Sequence, residues 1–293
     1  MSDRFGVSQF RLAEGESLRL RDRATRVPPI SRTPKEDRRL LKAKVRALSR
    51  LQRLHYAANA HAMLIIFQGM DAAGKDGVIS HLMTGLNPQG CEVTSFKHPS
   101  ASELTHDFLW RSAQRLPERG RIGVFNRSYY EEVLIVRVHP ELLEAEGVPS
   151  APRDEAGIWE SRYRSIRDFE HHLGRNGVKV VKIFLHLSKE EQRLRFLSRI
   201  DEPEKNWKFS MADVEERAFW DDYEKAYEAC LESTSTDAAP WFVVPADDKL
   251  TSRMIVSQII LEALSELHPQ FPKTPPERRR ALKRVRAALE AEG

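Results

Sequence analysis

Two glycines, a lysine and three acidic or small residues at fixed spacing stand in the stretch Gly69-Met70-Asp71-Ala72-Ala73-Gly74-Lys75, followed by Asp76 and Gly77. Glycine before a helix start lets the backbone curl so that several N–H groups converge on one anion, and a lysine beside them adds a mobile positive charge. The pattern points to phosphate binding by Gly69, Ala72, Ala73, Gly74, Lys75, Asp76 and Gly77. The two aspartates work against that reading. Two like charges about 4 Å apart repel by several kcal/mol at an intermediate dielectric, so a carboxylate beside phosphate needs a cation between them. A magnesium ion held by Asp71 and shared with phosphate oxygens resolves the conflict, with manganese as an alternative. Asp71 is also placed to accept a proton from, or to orient, an attacking phosphate oxygen. Asp76 stands where loops of this type carry the Ser or Thr that binds the metal, and is read first as an acid favoured by the helix dipole.

Other charged residues fall where strands are expected to end. Asn126 and Arg127 follow the apolar run "RIGVF", and Arg127 suits bidentate contact with phosphate. Glu131, Glu132 and Arg137 lie on the segment behind them, with Glu132 read as a solvated surface acid. Lys97 follows "CEVTSF", and Arg111 and Arg115 stand four residues apart on an expected helix, giving one basic stripe. Lys97, Arg111, Asn126, Arg127, Glu131 and Arg137 form the expected acceptor-binding set. Downstream, a polar loop is flanked by Arg193, Arg195, Arg199, Lys205 and Lys208. Arg199, Lys205 and Lys208 are the expected contacts to a bridging polyanion, and Arg193 and Arg195 are placed on a helix's wet side. No His/Cys spacing suggests zinc.

Positioning these side chains requires an alternating chain of strands and helices. Short apolar runs at Met63–Phe67, Cys91–Phe96, Arg121–Phe125, Val178–Leu187 and Trp241–Val244 read as five strands. Helical periodicity appears from Pro34 to about Ala60, over Val78–Thr84 and Glu103–Leu116, and through "SYYEEVLIVRV" and "ESRYRSIRDFEHHL". Ser188 with Glu191 reads as a capping box opening a helix that stops before Pro203. Strands alternating with helices predict one parallel sheet covered on both faces. The expected layout is a basic N-terminal extension and helix over 1–60, a catalytic domain over 61–268 with a lid at about 189–225, and a basic tail over 269–293. Residues 1–34 read as extended or loosely attached, and Trp207, Phe209, Trp220 and Tyr223 as packing residues.

Composition narrows the function classes. The 293 residues contain two cysteines, Cys91 and Cys230, which argues against a disulfide framework and for a reducing compartment. No apolar run is long enough to span a membrane, and no secretory signal opens the chain, so the cytoplasm is expected. The net charge is +4, but residues 1–50 hold fourteen Lys/Arg against six Asp/Glu. Basic ends of this kind favour polyanions.

Taken in order, "GMDAAGKDG", "FNRSYYEEV" and "SRIDEPEKNWKFS" resemble polyphosphate kinase family 2, over roughly residues 35–268. The resemblance implies a P-loop kinase-like three-layer α/β/α fold with a five-stranded parallel sheet, a helical lid and basic helical N- and C-terminal extensions. It implies transfer of a phosphoryl group between inorganic polyphosphate and AMP or ADP, giving ADP or ATP, with magnesium. It also implies a homo-oligomer, dimer or tetramer, with no membrane or nucleic-acid partner. Asp71 and Lys75 match the family's acidic and basic loop positions. Its second motif usually reads Asp-Arg-Ser, and here Asn126 replaces the acid. An amide cannot act as a base, so weight moves to Asp71. The Asn form is similar to the branch that accepts both AMP and ADP, with guanine nucleotides as further candidates. Two other readings stay open at this point: an ATP-dependent nucleoside monophosphate kinase and a non-catalytic polyanion-binding protein.

Overall fold

The fold is taken from a computed structural model, which describes residues 6–31, 33–145 and 155–292. Five strands form one sheet in which every pairing is parallel: β1 (Ala62–Gln68), β2 (Cys91–Ser95), β3 (Ile122–Asn126), β4 (Val178–His186) and β5 (Trp241–Pro245). Their spatial order is β2-β3-β1-β4-β5. β1 occupies the centre because all seven of its residues are buried. Its alternate side chains serve two cores: Leu64 and Ile66 face one, and Met63, Ile65 and Phe67 the other. That division is what a continuous apolar run in a parallel sheet requires.

The helices are α1 (Pro34–Ala58), α2 (Lys75–Met83), α3 (Trp110–Ala113), α4 (Ile135–Val138), α5 (Glu141–Ala145), α6 (Glu155–Arg175), α7 (Lys189–Asp201), α8 (Met211–Glu215), α9 (Trp220–Thr234), α10 (Lys249–Glu266) and α11 (Pro276–Glu290). α1, α2 and α10 contribute Leu48, Ile79 and Ile259 to one core, while α6 and α9 contribute Ile166 and Leu231 to the other. The chain leaves β1 toward β2 on one side and β3 toward β4 on the other. The carboxyl ends of β1 and β3 therefore flank the crevice where open α/β sheets bind ligands.

Three expectations need correction. The N-terminal segment is not loosely attached from residue 6 on, residues 1–5 lying outside the described ones: Leu12 and Leu20 are buried, the Leu12 N–H donates to the Trp241 carbonyl at 2.9 Å, and Arg11 bridges antiparallel to Phe242. It covers the edge of β5, a strand that would otherwise expose unpaired backbone groups. The helix expected over Glu103–Leu116 breaks into a 3-10 turn (Glu103–Thr105) and the short α3. Between them Asp107 Oδ1 accepts the Leu109 N–H at 3.0 Å, a local turn that competes with helix continuation. The segment after Arg127 is a 3-10 helix (Tyr129–Val133) followed by α4, not one α-helix.

Candidate active site

The loop between β1 and α2 uses backbone conformations that its sequence supplies. Gly69 has φ 152°, and a Cβ there would lie 2.8 Å from the Leu185 carbonyl oxygen, so only glycine fits. Gly74 sits at φ 101° as the N-cap of α2, whose first residue is Lys75. Lys75 is 9 % exposed, and its Nζ donates to the Gly69 and Met70 carbonyls. Burial lowers its pKa to about 8, Arg127 adds to the effect, and Asp71, Glu131 and Asp76 oppose it.

Arg127 follows β3 with φ 65°, a left-handed conformation uncommon for a residue with a side chain. Its N–H donates to the Phe67 carbonyl at 3.0 Å, extending the ladder to β1. Its guanidinium reaches Asp71 at 2.7 Å and Glu131 at 3.4 Å. Glu131, followed by burial and Asp71, governs the Arg127 pKa, and the net effect holds it above the ordinary arginine value. Glu131 is fixed in turn by Gln68 Nε2 at 3.0 Å. Asn126 Nδ2 donates to Asp76 Oδ1 at 2.6 Å, so the second-motif amide faces the loop's second acid.

Asp71, Lys75, Asp76, Asn126 and Arg127 line a cavity of about 600 Å³ that also receives Arg195, Arg199, Lys205 and Lys208 from the lid side and Lys249 and Arg253 from α10. With Lys75, Lys97 and Arg127, nine Lys/Arg face three acids, Asp71, Asp76 and Asp213. That imbalance makes the cavity a site for a polyanion. The lid cations do not stand free: Arg199 pairs with Asp213 at 3.1 Å, and Lys205 pairs with Glu202. Lys208 packs its ammonium 4.9 Å from the ring centre of Trp207, which is 79 % exposed and is not a packing residue.

A second cavity of about 180 Å³ opens beside the first, with apolar walls from Phe96, Leu104, Ile135 and Leu142. Lys97 and Arg127 line both cavities. Arg111 lines only the smaller one, where it is buried, donates to the Lys97 carbonyl at 2.8 Å and pairs with Glu132 at 3.2 Å. Glu132 is therefore a buried partner and not a surface acid. Arg115 is exposed, so the expected Arg111/Arg115 stripe does not form. Arg137 lines neither cavity; it donates to the Tyr163 hydroxyl at 2.6 Å and lies over Trp159.

Arg193 is exposed and paired with Glu190, as its wet-side placement implies. Arg195 is not. It is 8 % exposed and its guanidinium donates to the carbonyls of Ala72, Ala73, Ala246 and Asp247 at 2.6 to 3.2 Å. Those carbonyls belong to the phosphate loop and to the turn after β5, so one side chain ties the start of the lid to both. Arg195→Ala leaves buried carbonyls without donors, and we expect a stability loss of about 2–4 kcal/mol together with a lower kcat/KM. Thermal unfolding and steady-state kinetics on the same preparation check it. Sequence reasoning also missed Lys249 and Arg253; the available signal was their place on the helix that follows a parallel strand's carboxyl end.

A central parallel strand, a glycine loop opening a helix, and facing arginines from a helical lid define a P-loop phosphotransferase architecture. The family profile of polyphosphate kinase 2 matches residues 31–272, and the chain belongs to that family. It is 59 % identical over 283 residues to an ADP-polyphosphate phosphotransferase of Rhodopseudomonas palustris, covering 97 % of this chain and 98 % of that one. It is 46 % identical over 228 residues to an AMP/ADP-polyphosphate phosphotransferase of Meiothermus ruber, covering 78 % and 81 %. The crystal structure of polyphosphate kinase 2 from Arthrobacter aurescens superposes with a TM-score of 0.83 at 39 % identity, covering 94 % of each chain.

Proposed function

We propose that this enzyme transfers a phosphoryl group directly between inorganic polyphosphate and AMP or ADP. The observation that carries the reading is the shared wall: Lys97 and Arg127 line both the large cationic cavity and the small cavity with apolar sides. Polyphosphate fits the first, a nucleoside the second, and the transferring group lies between them at Arg127. Loop N–H groups and Lys75 hold the terminal phosphate, and Arg199, Lys205 and Lys208 take the charge left on the departing polymer. Positioning and charge neutralisation suffice for such a transfer, and no covalent enzyme intermediate is needed. Lid closure keeps water from competing with the nucleotide.

The carboxylates suit magnesium. Asp71, Asp76 and Asp213 are hard oxygen donors that line the large cavity. Burial, then the neighbouring Asp71, pushes the Asp213 carboxyl above the usual range, a crowding of acids that a divalent cation relieves. Among the described residues no three His, Cys, Asp or Glu side chains converge closely enough to hold a metal by themselves. This matches an ion that takes most of its ligands from phosphate and water. Asp71 would hold it, with manganese as a substitute, and the bound ion would offset phosphate charge and polarise the group in transit.

The test supplies purified enzyme with ADP, magnesium and long-chain polyphosphate as sole donor: ATP must appear, chelation must stop it and added magnesium restore it. Transfer from ATP alone would instead make it a nucleoside monophosphate kinase, and binding without transfer would make it a polyanion-binding protein. Side-by-side AMP and ADP assays fix the acceptor, since one relative is named for ADP and another for both AMP and ADP. No helix of the described residues is long and apolar enough to cross a membrane. We place the activity in the cytoplasm, in line with two unpaired cysteines. We assign the enzyme a homo-oligomeric state, for which exposed Leu194, Ile200 and Met211 on the lid provide apolar surface.

A further inference from the structure

α1 carries a feature that the catalytic site does not use. Lys35, Arg39, Lys42, Arg46, Arg50 and Arg53 are all exposed and recur at intervals of three or four residues. At 3.6 residues per turn they fall inside an arc of about 80° and run for about 27 Å along the helix. None of the six forms an ion pair among the described residues. The helix's two acids lie off the row: Asp37 is buried and accepts the Ser31 N–H, and Glu36 stands in the first turn about 100° from Lys35.

An ordinary wet face mixes signs, because like charges three or four residues apart oppose helix formation. α7 obeys this, with Arg193, Arg195 and Arg199 each held by a carboxylate. α1 does not. The row opposes the helix that bears it and gains nothing within the free protein.

Its position connects it to the site. α1 ends just before β1, at the sheet end remote from the phosphate loop, so its first turn lies toward the cavity end. It packs along α10, with Lys44 donating to Gln258, and α10 opens with the cavity residues Lys249 and Arg253.

We propose that the outer face of α1 is a docking track for the distal part of the polyphosphate chain, outside the catalytic cavity. The proposal rests on polyphosphate being the donor. A single acid-free row fits a flexible linear polyanion. Base stacking would need exposed aromatic rings along the row, and the exposed Tyr56 and Phe271 stand only at its far end, beside Arg53. A membrane surface would need apolar anchors beside the charges, and the row is flanked by Ala43 on one side and Ser49 on the other. A chain long enough to touch track and cavity together binds as a tethered ligand, which raises its affinity without a new contact at the catalytic centre.

The test compares the wild type with the variant Arg39→Gln/Lys42→Gln/Arg46→Gln/Arg50→Gln. With long-chain polyphosphate, its KM is expected to rise about tenfold or more, and the salt dependence of binding to flatten. With oligomers too short to leave the cavity, kcat and KM should stay at wild-type values, which also certifies the fold. Equal loss on long and short chains, or no loss on either, overturns the proposal. Direct binding of labelled long-chain polyphosphate is measured in parallel, with single-stranded RNA and anionic vesicles as competitors. Unchanged polyphosphate affinity in the variant, with weakened RNA or vesicle binding, assigns the row to another polyanion and overturns it too. If the wild type transfers from no chain length, the donor assignment fails instead, and the binding comparison still decides whether the row holds polyphosphate.

Discussion

Lys75→Ala and Asp71→Asn each lower turnover by about a hundredfold or more, the scale of losing one preorganised charge from a phosphoryl-transfer site. The two failures differ in kind. Lys75 lies buried with its ammonium on the loop's own carbonyls, so its removal takes away charge that substrate would otherwise recruit. Asp71 is partly exposed and paired with Arg127, so its removal frees a guanidinium and takes away the carboxylate assigned to the metal. Magnesium titration separates them: Asp71→Asn should need far more metal for its residual rate, and Lys75→Ala should not. The lysine also sets a pH dependence. Its folded pKa of about 8 lies below the ordinary lysine value. The folded state therefore holds fewer protons than the unfolded chain in the window from about pH 8 up to that ordinary value. In that window this group's contribution makes stability rise with pH, and below it the full burden of a buried ammonium is present. One consequence follows: kcat/KM should fall above about pH 8 as the free enzyme loses the charge. A rate profile flat to pH 9, or near-wild-type turnover in either variant, refutes the assignment.

The chain of residues from β1 through the loop to α2 was legible in the sequence because each of its signals is local. An apolar strand, glycines at left-handed positions and a helix start lie within twenty consecutive residues, and the structure arranges them that way. Arg195 was misplaced for the opposite reason. Helical spacing put it among wet-side arginines, whereas its partners, Ala72 and Ala73, lie more than a hundred residues earlier in the chain. Glu132 hid in the same way, since its partner Arg111 comes from a segment whose helix the sequence overstated. Periodicity over 103–116 was real. Local caps outweighed it, with Ser100 and Glu103 bonding reciprocally and Asp107 closing the next turn. The N-terminal strap was invisible because it packs by docking on the distant edge strand β5, not by any period of its own.

The residue the sequence concealed most completely is Lys182, in the middle of β4 and 0 % exposed. Its ammonium meets Glu170 of α6 at 2.6 Å, the Tyr130 hydroxyl at 3.1 Å and the Thr234 carbonyl at 2.6 Å. The hydroxyls of Tyr129 and Tyr130 both donate to Glu170 Oε1, at 2.8 and 2.7 Å. Burial pulls the Lys182 pKa down, and Glu170 opposes that pull. The network anchors the 3-10 helix that begins two residues after Arg127 and carries Glu131, so a buried charge pair holds the support of Arg127 in place. Removing one partner strands the other in the core. Lys182→Met should cost about 3–5 kcal/mol, more than any surface substitution in this protein. For a chain of this size that is a fall in Tm on the order of 10 °C. Lys182→Met combined with Glu170→Gln removes both charges while keeping an acceptor for the two tyrosines, and about half of the loss should return through coupling between the sites. Neither residue lines a cavity, so the double variant should keep kcat within a small factor of wild type. Calorimetry on the two single variants and the double variant decides it. Additive losses would mean that the pair is not coupled and that the tyrosines, not the charges, hold this part of the site.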